Sequence, residues 1–263
     1  MNTETPRYRI WAQGGTDRVG HAPYLARLLP FQQSMLDPDF SLDFQTFTPS
    51  VTTTHALSEY RFGRAAIKGA IEAERQGYDA YYMNHFQDAG LIEARASVSI
   101  PVLGLGEATL LFACTLGRRL GLIAINPAFV PWHIDQVGCY GLRDRVAGVR
   151  TIDARIPDYM AAFDDAAMRA RLTDLFVREA RALIAAGADV LVPTGGIPMM
   201  LFGADPGAAV DGAPVVNGCA VVVKATEMAV KLRRLTGVGP SRLPASGFGL
   251  PDDQTLREFL ENG

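Results

Sequence analysis

A segment that occurs twice constrains this chain more than anything else in it. Gly77-Tyr-Asp-Ala-Tyr-Tyr-Met-Asn-His85 is echoed by Gly187-Ala-Asp-Val-Leu-Val-Pro-Thr-Gly195, and each copy reads as helix end, glycine, aspartate, short apolar strand and polar loop. A further Pro-Val strand follows each copy, Pro101-Val102-Leu103 after the first and Pro214-Val215-Val216 after the second. The echo therefore covers a supersecondary unit, and two similar half-domains are the simplest chain that contains it, although α/β units in general share the pattern. Elsewhere, short apolar runs ending in glycine or polar turns alternate with longer stretches of helical spacing, as β-α-β units around a parallel sheet require. Strands are predicted over 8–12, 79–83, 102–105, 122–126, 190–193 and 215–217. Helices are predicted over 57–76 and 165–186. In the second of these Leu172, Leu175, Phe176, Leu183 and Ile184 share a face and Gly187 supplies the stop, as Gly77 does for the first. The fold class expected is α/β, with two parallel-sheet halves related by a pseudo-twofold repeat. The first half is expected over 1–108, with a C-terminal helix over 224–235 packing back on it. The second is expected over 109–223, and the Gly/Pro-rich tail over 236–263 is read as an arm or lid.

Composition narrows the function classes. With 263 residues, 48% of them hydrophobic, the chain can bury a substantial core, and disorder is not a serious reading. A formal net charge of -3 leaves no broad basic surface for phosphates, which disfavours nucleic acid as a partner. No run reaches the roughly 18 to 20 apolar residues of a membrane helix, and the polar N-terminus has no apolar export region, so a cytoplasmic protein without a membrane partner is expected. Cys114, Cys139 and Cys219 are an odd number at wide spacing with no Cys-x-x-Cys pair, as in buried thiols of a reducing compartment. His21, His55 and His133 have no ligand-like spacing, so no metal is expected. Gly104-Leu-Gly106 is not completed by a glycine at 109 and no Gly-Lys-Ser/Thr loop occurs, so no nucleotide cofactor is expected either.

In parallel α/β units, ligands collect beyond the carboxyl ends of the strands, which makes Asn84-His85 and Thr194-Gly195 equivalent loops able to flank one cleft. The imidazole of His85, with an unperturbed pKa of about 6.5, suits acid/base work near neutrality, while a hydrogen-bonded structural histidine is the plainer reading. The amides of Thr194, Gly195 and Gly196 suit an oxyanion or carboxylate, because glycine lets an anion approach the main chain. Gln13-Gly14-Gly15-Thr16, after the first strand, is either a similar cradle or a tight turn. Asp88 reads as ligand-binding or as a helix N-cap. Glu107 reads as orienting a base or ligand, or as an ordinary first-turn acid. Tyr60, Tyr82, Phe86 and Met199 near these loops suggest an apolar wall, and Cys114 beside Leu110, Leu111 and Ala113 reads as core.

The same loops carry a family likeness. Tyr78-Asp-Ala-Tyr-Tyr-Met-Asn-His-Phe-Gln-Asp-Ala-Gly-Leu91 resembles the first active-site segment of hydantoin racemases, in which an alanine, the catalytic cysteine and a phenylalanine precede Gly-Asp-Pro-Gly-Leu. Pro101-Val-Leu-Gly-Leu-Gly-Glu-Ala108 and Leu116-Gly-Arg-Arg119 are similar to that family's Gly-Glu-Ala helix start and Leu-Gly-Arg-Arg turn. Arg143 to Pro157 is similar to its arginine-rich segment, and Gly187 to Val192 to the strand before the second catalytic loop. The resemblance is to the aspartate/glutamate/hydantoin racemase superfamily. It implies two α/β halves with an active site in the cleft between them, chemistry without a cofactor, and a homo-oligomer. It also implies substrate-binding roles for Thr52, Thr53, Asn84, Phe86 and Asp88 beside those argued above, and catalytic roles for His85, Glu107 and Thr194.

The likeness also exposes a departure. In the family's racemases one cysteine removes the α-proton and another delivers a proton to the opposite face; here His85 and Gly195 stand in those places. Gly195 has no side chain, and the hydroxyl of Thr194 is too weak an acid to act unaided, which argues against two-base racemisation. One-sided proton transfer remains, as in isomerisation or decarboxylation of a small carboxylate or hydantoin-like ring; relatives lacking one cysteine are known as decarboxylases. A hydrolase that opens a cyclic amide or imide with a His85-activated water is the first alternative. A catalytically retired small-ligand-binding protein is the second.

Overall fold

The computed structural model describes residues 6–47 and 53–262. In chain order the elements are β1 (Tyr8–Gly14), α1 (Ala22–Ser34), β2 (Phe40–Thr46), α2 (Ala56–Arg75), β3 (Ala80–Met83), α3 (Leu91–Ser97), β4 (Val102–Gly104) and α4 (Leu105–Leu116). They continue as β5 (Leu120–Ala124), α5 (Phe129–Cys139), β6 (Val146–Thr151), α6 (Ile156–Ala161), α7 (Ala166–Ala185), β7 (Val190–Thr194) and α8 (Gly196–Phe202). The chain closes with β8 (Ala209–Val210), β9 (Ala213–Pro214), α9 (Gly218–Thr236) and α10 (Asp253–Asn262).

Two compact units result, one of residues 1–17, 32–104 and 222–263, the other of residues 18–31 and 105–221. The first is built on a parallel sheet of order β2-β1-β3-β4, the second on a parallel sheet of order β6-β5-β7. An α/β architecture on parallel sheets is what the alternating pattern predicted. The echo has a structural basis in both copies. Gly77 and Gly187 take positive φ values of 74° and 93°, which glycine adopts without the clash a Cβ would bring. Around them the amides of Tyr78 and Ala188 reach back to the carbonyls of Ala73 and Leu183, closing the ends of α2 and α7 with the same Schellman turn. The aspartate that follows clamps the start of the neighbouring strand. The Asp79 carboxylate accepts from the Arg9 amide at 2.9 Å, and that of Asp189 accepts from the amides of Arg118 and Arg119 at 2.8–2.9 Å. These backbone donors hold the Asp189 carboxyl below its usual range.

Packing follows from the pattern. One face of α2, from Phe62 to Ala73, lies in a core with Trp11, Tyr78, Tyr81, Met83 and Val102. In the other unit, Gly121 of β5 lets α7 approach closely, since a Cβ there would stand 2.9 Å from that of Leu183. Two departures from the predicted strands have local causes. Residues 215–217 form only a bridge, Leu191 to Val215, because the Asn217 side chain caps α9 by accepting from the Cys219 amide at 2.9 Å. The strands β2 and β6, absent from the prediction, lie at sheet edges where half-exposed residues blur the apolar signal. The tail continues into α10, whose Leu256, Phe259 and Leu260 pack on the core of the first unit. Arg242 fastens the approach to it by donating to the carbonyls of Arg95, Val98 and Phe248. No described helix is long and apolar enough to cross a membrane.

Candidate functional site

In the first unit the carboxyl ends of β1 and β3 lie side by side, with Gln13 opposite Met83 in the ladder. The next residue, Asn84, donates its amide to the Gln13 carbonyl at 2.8 Å, and its side-chain carbonyl accepts from the Gln32 amide group at 3.1 Å. These bonds fix the turn that presents His85. Nε2 of His85 lies 2.8 Å from Oε2 of Glu59, in the first turn of α2, and both side chains are mostly buried, at 20% and 16% exposure. The imidazole lies tilted against the Phe62 ring at a centroid distance of 4.1 Å. Among the described residues Nδ1 has no hydrogen-bond partner. His55 serves this arrangement indirectly, since its ring accepts from the Leu57 amide and caps the helix that carries Glu59 and Phe62.

Most of the remaining candidates of this unit are buried and engaged with the protein itself. Gln13 spends its polar atoms on the protein: its amide group donates to the carbonyls of Gly14 and Gln45 and its carbonyl accepts from the Trp11 indole. Gly14 and Gly15 are glycines because the rings of Phe44 and Phe62 occupy the space of a side chain. Phe86 belongs to the buried core, as does Tyr82, whereas Tyr60 is exposed. Asp88 is buried and has a φ of 54°. Its carboxyl rests against the Cα of Gly104, and its carbonyl accepts from the Leu91 amide at 3.0 Å. The helix-cap reading of Asp88 does not hold, because α3 is capped by Gly90 without any side-chain bond. Thr53 is exposed and shares a hydrogen bond with Ser58, while Thr52 lies outside the described residues.

In the second unit β7 delivers Thr194 to a buried position where its hydroxyl faces the Ile123 carbonyl across the sheet at 3.4 Å. Gly195, with φ 134° and ψ 152°, turns the chain into α8 through a conformation open in practice to glycine alone. The place a Cβ would take on Gly196 is filled by the Tyr24 hydroxyl, which leaves room for glycine alone at this position. Behind it is the buried thiol of Cys219, pushed up to about 12 by burial and directed at the Met199 sulfur. Met199 is itself buried. Glu107 stands in the first turn of α4, which begins directly after β4, and is half-buried.

The structure thus brings Asn84 and His85 together with Gly14, Gly15 and Phe62 in one unit, and Thr194, Gly195 and Gly196 with Tyr24 and Cys219 in the other. Glu59, Phe62, Tyr24 and Cys219 were missed by sequence reasoning, each meeting its partner across at least twenty residues of chain. Among the described residues no group of three histidine, cysteine or acidic side chains is arranged to hold a metal ion.

Comparison with known proteins adds three findings. Residues 35–226 match the family model described as Asp/Glu/hydantoin racemase. The hydantoin racemases of Rhizobium meliloti and Pseudomonas sp. (strain NS671) are 33% and 29% identical over 156 and 108 residues, or 59% and 40% of this chain. These matches span 62% and 43% of the two relatives' own lengths. Among solved structures, allantoin racemase from Klebsiella pneumoniae superposes with a TM-score of 0.75 at 19% identity, over 94% of each chain.

Proposed function

The chain belongs to the Asp/Glu/hydantoin racemase family, and we propose that it moves a proton on one face of a small carboxylate or hydantoin-like substrate, with His85 as general acid and base. The observation that carries this reading is the His85 imidazole at the end of β3, held by Asn84, Phe62 and Glu59, with Nδ1 unpartnered among the described residues. A base must present a lone pair from a fixed position, and this ring has both attributes. The loop after β7 supports the one-sidedness. Gly195 carries no acid, and the Thr194 hydroxyl is engaged with the sheet. Isomerisation through an enolate and decarboxylation followed by reprotonation both need one such group, whereas inversion by two opposed acids needs a second.

The test is NMR of the wild type and His85→Ala incubated in deuterated water with 5-substituted hydantoins, amino acids and substituted malonates. Deuterium entering at the carbon next to the carbonyl, or loss of carbon dioxide, is expected in the wild type and should fall about 100- to 10,000-fold in the variant. An undiminished rate in His85→Ala would remove the reading. Ring opening that depends on His85 would replace it with hydrolysis.

A further inference from the structure

The bond between His85 and Glu59 determines which atom of the imidazole does the chemistry. A carboxylate only accepts hydrogen bonds, so at 2.8 Å from Glu59 the Nε2 atom of a neutral His85 must carry the proton, and the lone pair resides on Nδ1. We infer that Glu59 is a positioning residue: it holds His85 as the Nε2–H tautomer, turns Nδ1 into the working base, and steadies the imidazolium once Nδ1 has taken a proton. This rests on His85 being the acid/base group, as proposed above.

Three observations lead there. Both side chains are mostly buried, where a charge-assisted hydrogen bond is stronger than the weak ion pairs of an open surface. Glu59 lies in the first turn of a twenty-residue helix that is capped by His55 and packed on the core from Phe62 onward, so the carboxylate is positioned before any substrate arrives. Phe62, one turn further along α2, lies against the imidazole and sets the plane of the ring. Ring plane, ring rotation and tautomer are therefore all fixed by one helix. In the step itself the C–H bond of the substrate breaks, its proton goes to Nδ1, and its electron pair enters the adjacent carbonyl as an enolate. Delivery of that proton from Nδ1, on the same face, to another atom of the delocalised anion completes an isomerisation and regenerates the neutral ring, whereas its return to the original carbon gives solvent exchange alone; the Nε2 proton stays on the imidazole throughout.

The experiment uses the full chain labelled with ¹⁵N in its histidines, in buffer alkaline enough for neutral imidazole, with His85→Ala to identify the signals. Wild type is expected to show a protonated Nε2 and a bare Nδ1 for His85, with a downfield Nε2–H resonance. In E59Q that resonance is expected to disappear or move upfield and the ring nitrogens to shift toward a tautomer average, while the His55 signals stay in place. On whichever substrate undergoes exchange, kcat of E59Q should fall about 10- to 100-fold with KM changed less than twofold. A wild-type Nδ1 that carries the proton, or an E59Q spectrum identical to wild type, overturns the inference. If E59Q fails to fold, E59D and E59L supply the same comparison, the first keeping an acceptor and the second removing it. His85→Ala with full activity sinks the acid/base reading while leaving the tautomer result standing, so the two failures are told apart.

Discussion

Gly196 separates two explanations of a glycine that look alike in a sequence. A glycine after a strand invites the thought that an anion must approach the backbone, but here the Tyr24 hydroxyl occupies the place of the missing Cβ. G196A is therefore expected to lower stability by about 1–3 kcal/mol through overpacking. Y24F is expected to recover part of that loss in the double variant, because the overlapping oxygen is gone. Urea denaturation of the four proteins in a double-mutant cycle measures the coupling, and strictly additive losses would show that the two groups do not compete for space. His85 stands out in the sequence as a candidate because a strand-end imidazole in a repeated loop is a local signal. Its partner does not. Glu59 lies in a helix where a first-turn acid is unremarkable, and only the folded chain brings the two within hydrogen-bond distance.

At the scale of elements, legibility tracks how many faces of a segment are covered. β3, β5 and β7 are buried along their whole length and read as plain apolar runs, whereas β2 and β6 are half-exposed edges whose polar residues imitate loops. The Schellman turns after α2 and α7 were visible because each needs a glycine. Helix α10 shows the opposite case. Ten residues make a marginal helix in water, so its existence depends on what Leu256, Phe259 and Leu260 find to pack on, a long-range fact. Phe259→Ala is expected to cost about 1 kcal/mol of stability, as a half-buried ring should. In hydrogen exchange the amides of 253–262 should become the first to lose protection, with those of α7 unaffected. Unchanged protection of 253–262 in the variant would mean that α10 does not depend on this contact.

The whole molecule has its acid sensitivity written into a few clamps. Asp37 accepts from Lys224 and Lys231 of α9, which hold its carboxyl at about 2, and its own amide donates to Glu227 of the same helix at 2.7 Å. A carboxyl depressed in the folded state adds stability above its unfolded pKa of about 3.9, and that stability is lost as pH falls through the folded value. Acidification from about pH 4 toward pH 2 should therefore weaken the wild type more steeply than D37N, with D37N the less stable of the two at pH 7. Urea midpoints at pH 7 and pH 3 provide the comparison, and equal slopes would show the clamp to be neutral. The residual acid limb of D37N is shared by Asp158, Glu179, Asp189, Asp211 and Asp252, whose carboxyls are also held low. The chain, finally, passes between its two units at 17/18, 31/32, 104/105 and 221/222, the last of these inside helix α9. No single cut in the gene releases either unit whole. Anyone grafting the His85 unit onto another protein must carry three separate stretches of coding sequence and must supply a new beginning for a helix that starts in the unit left behind.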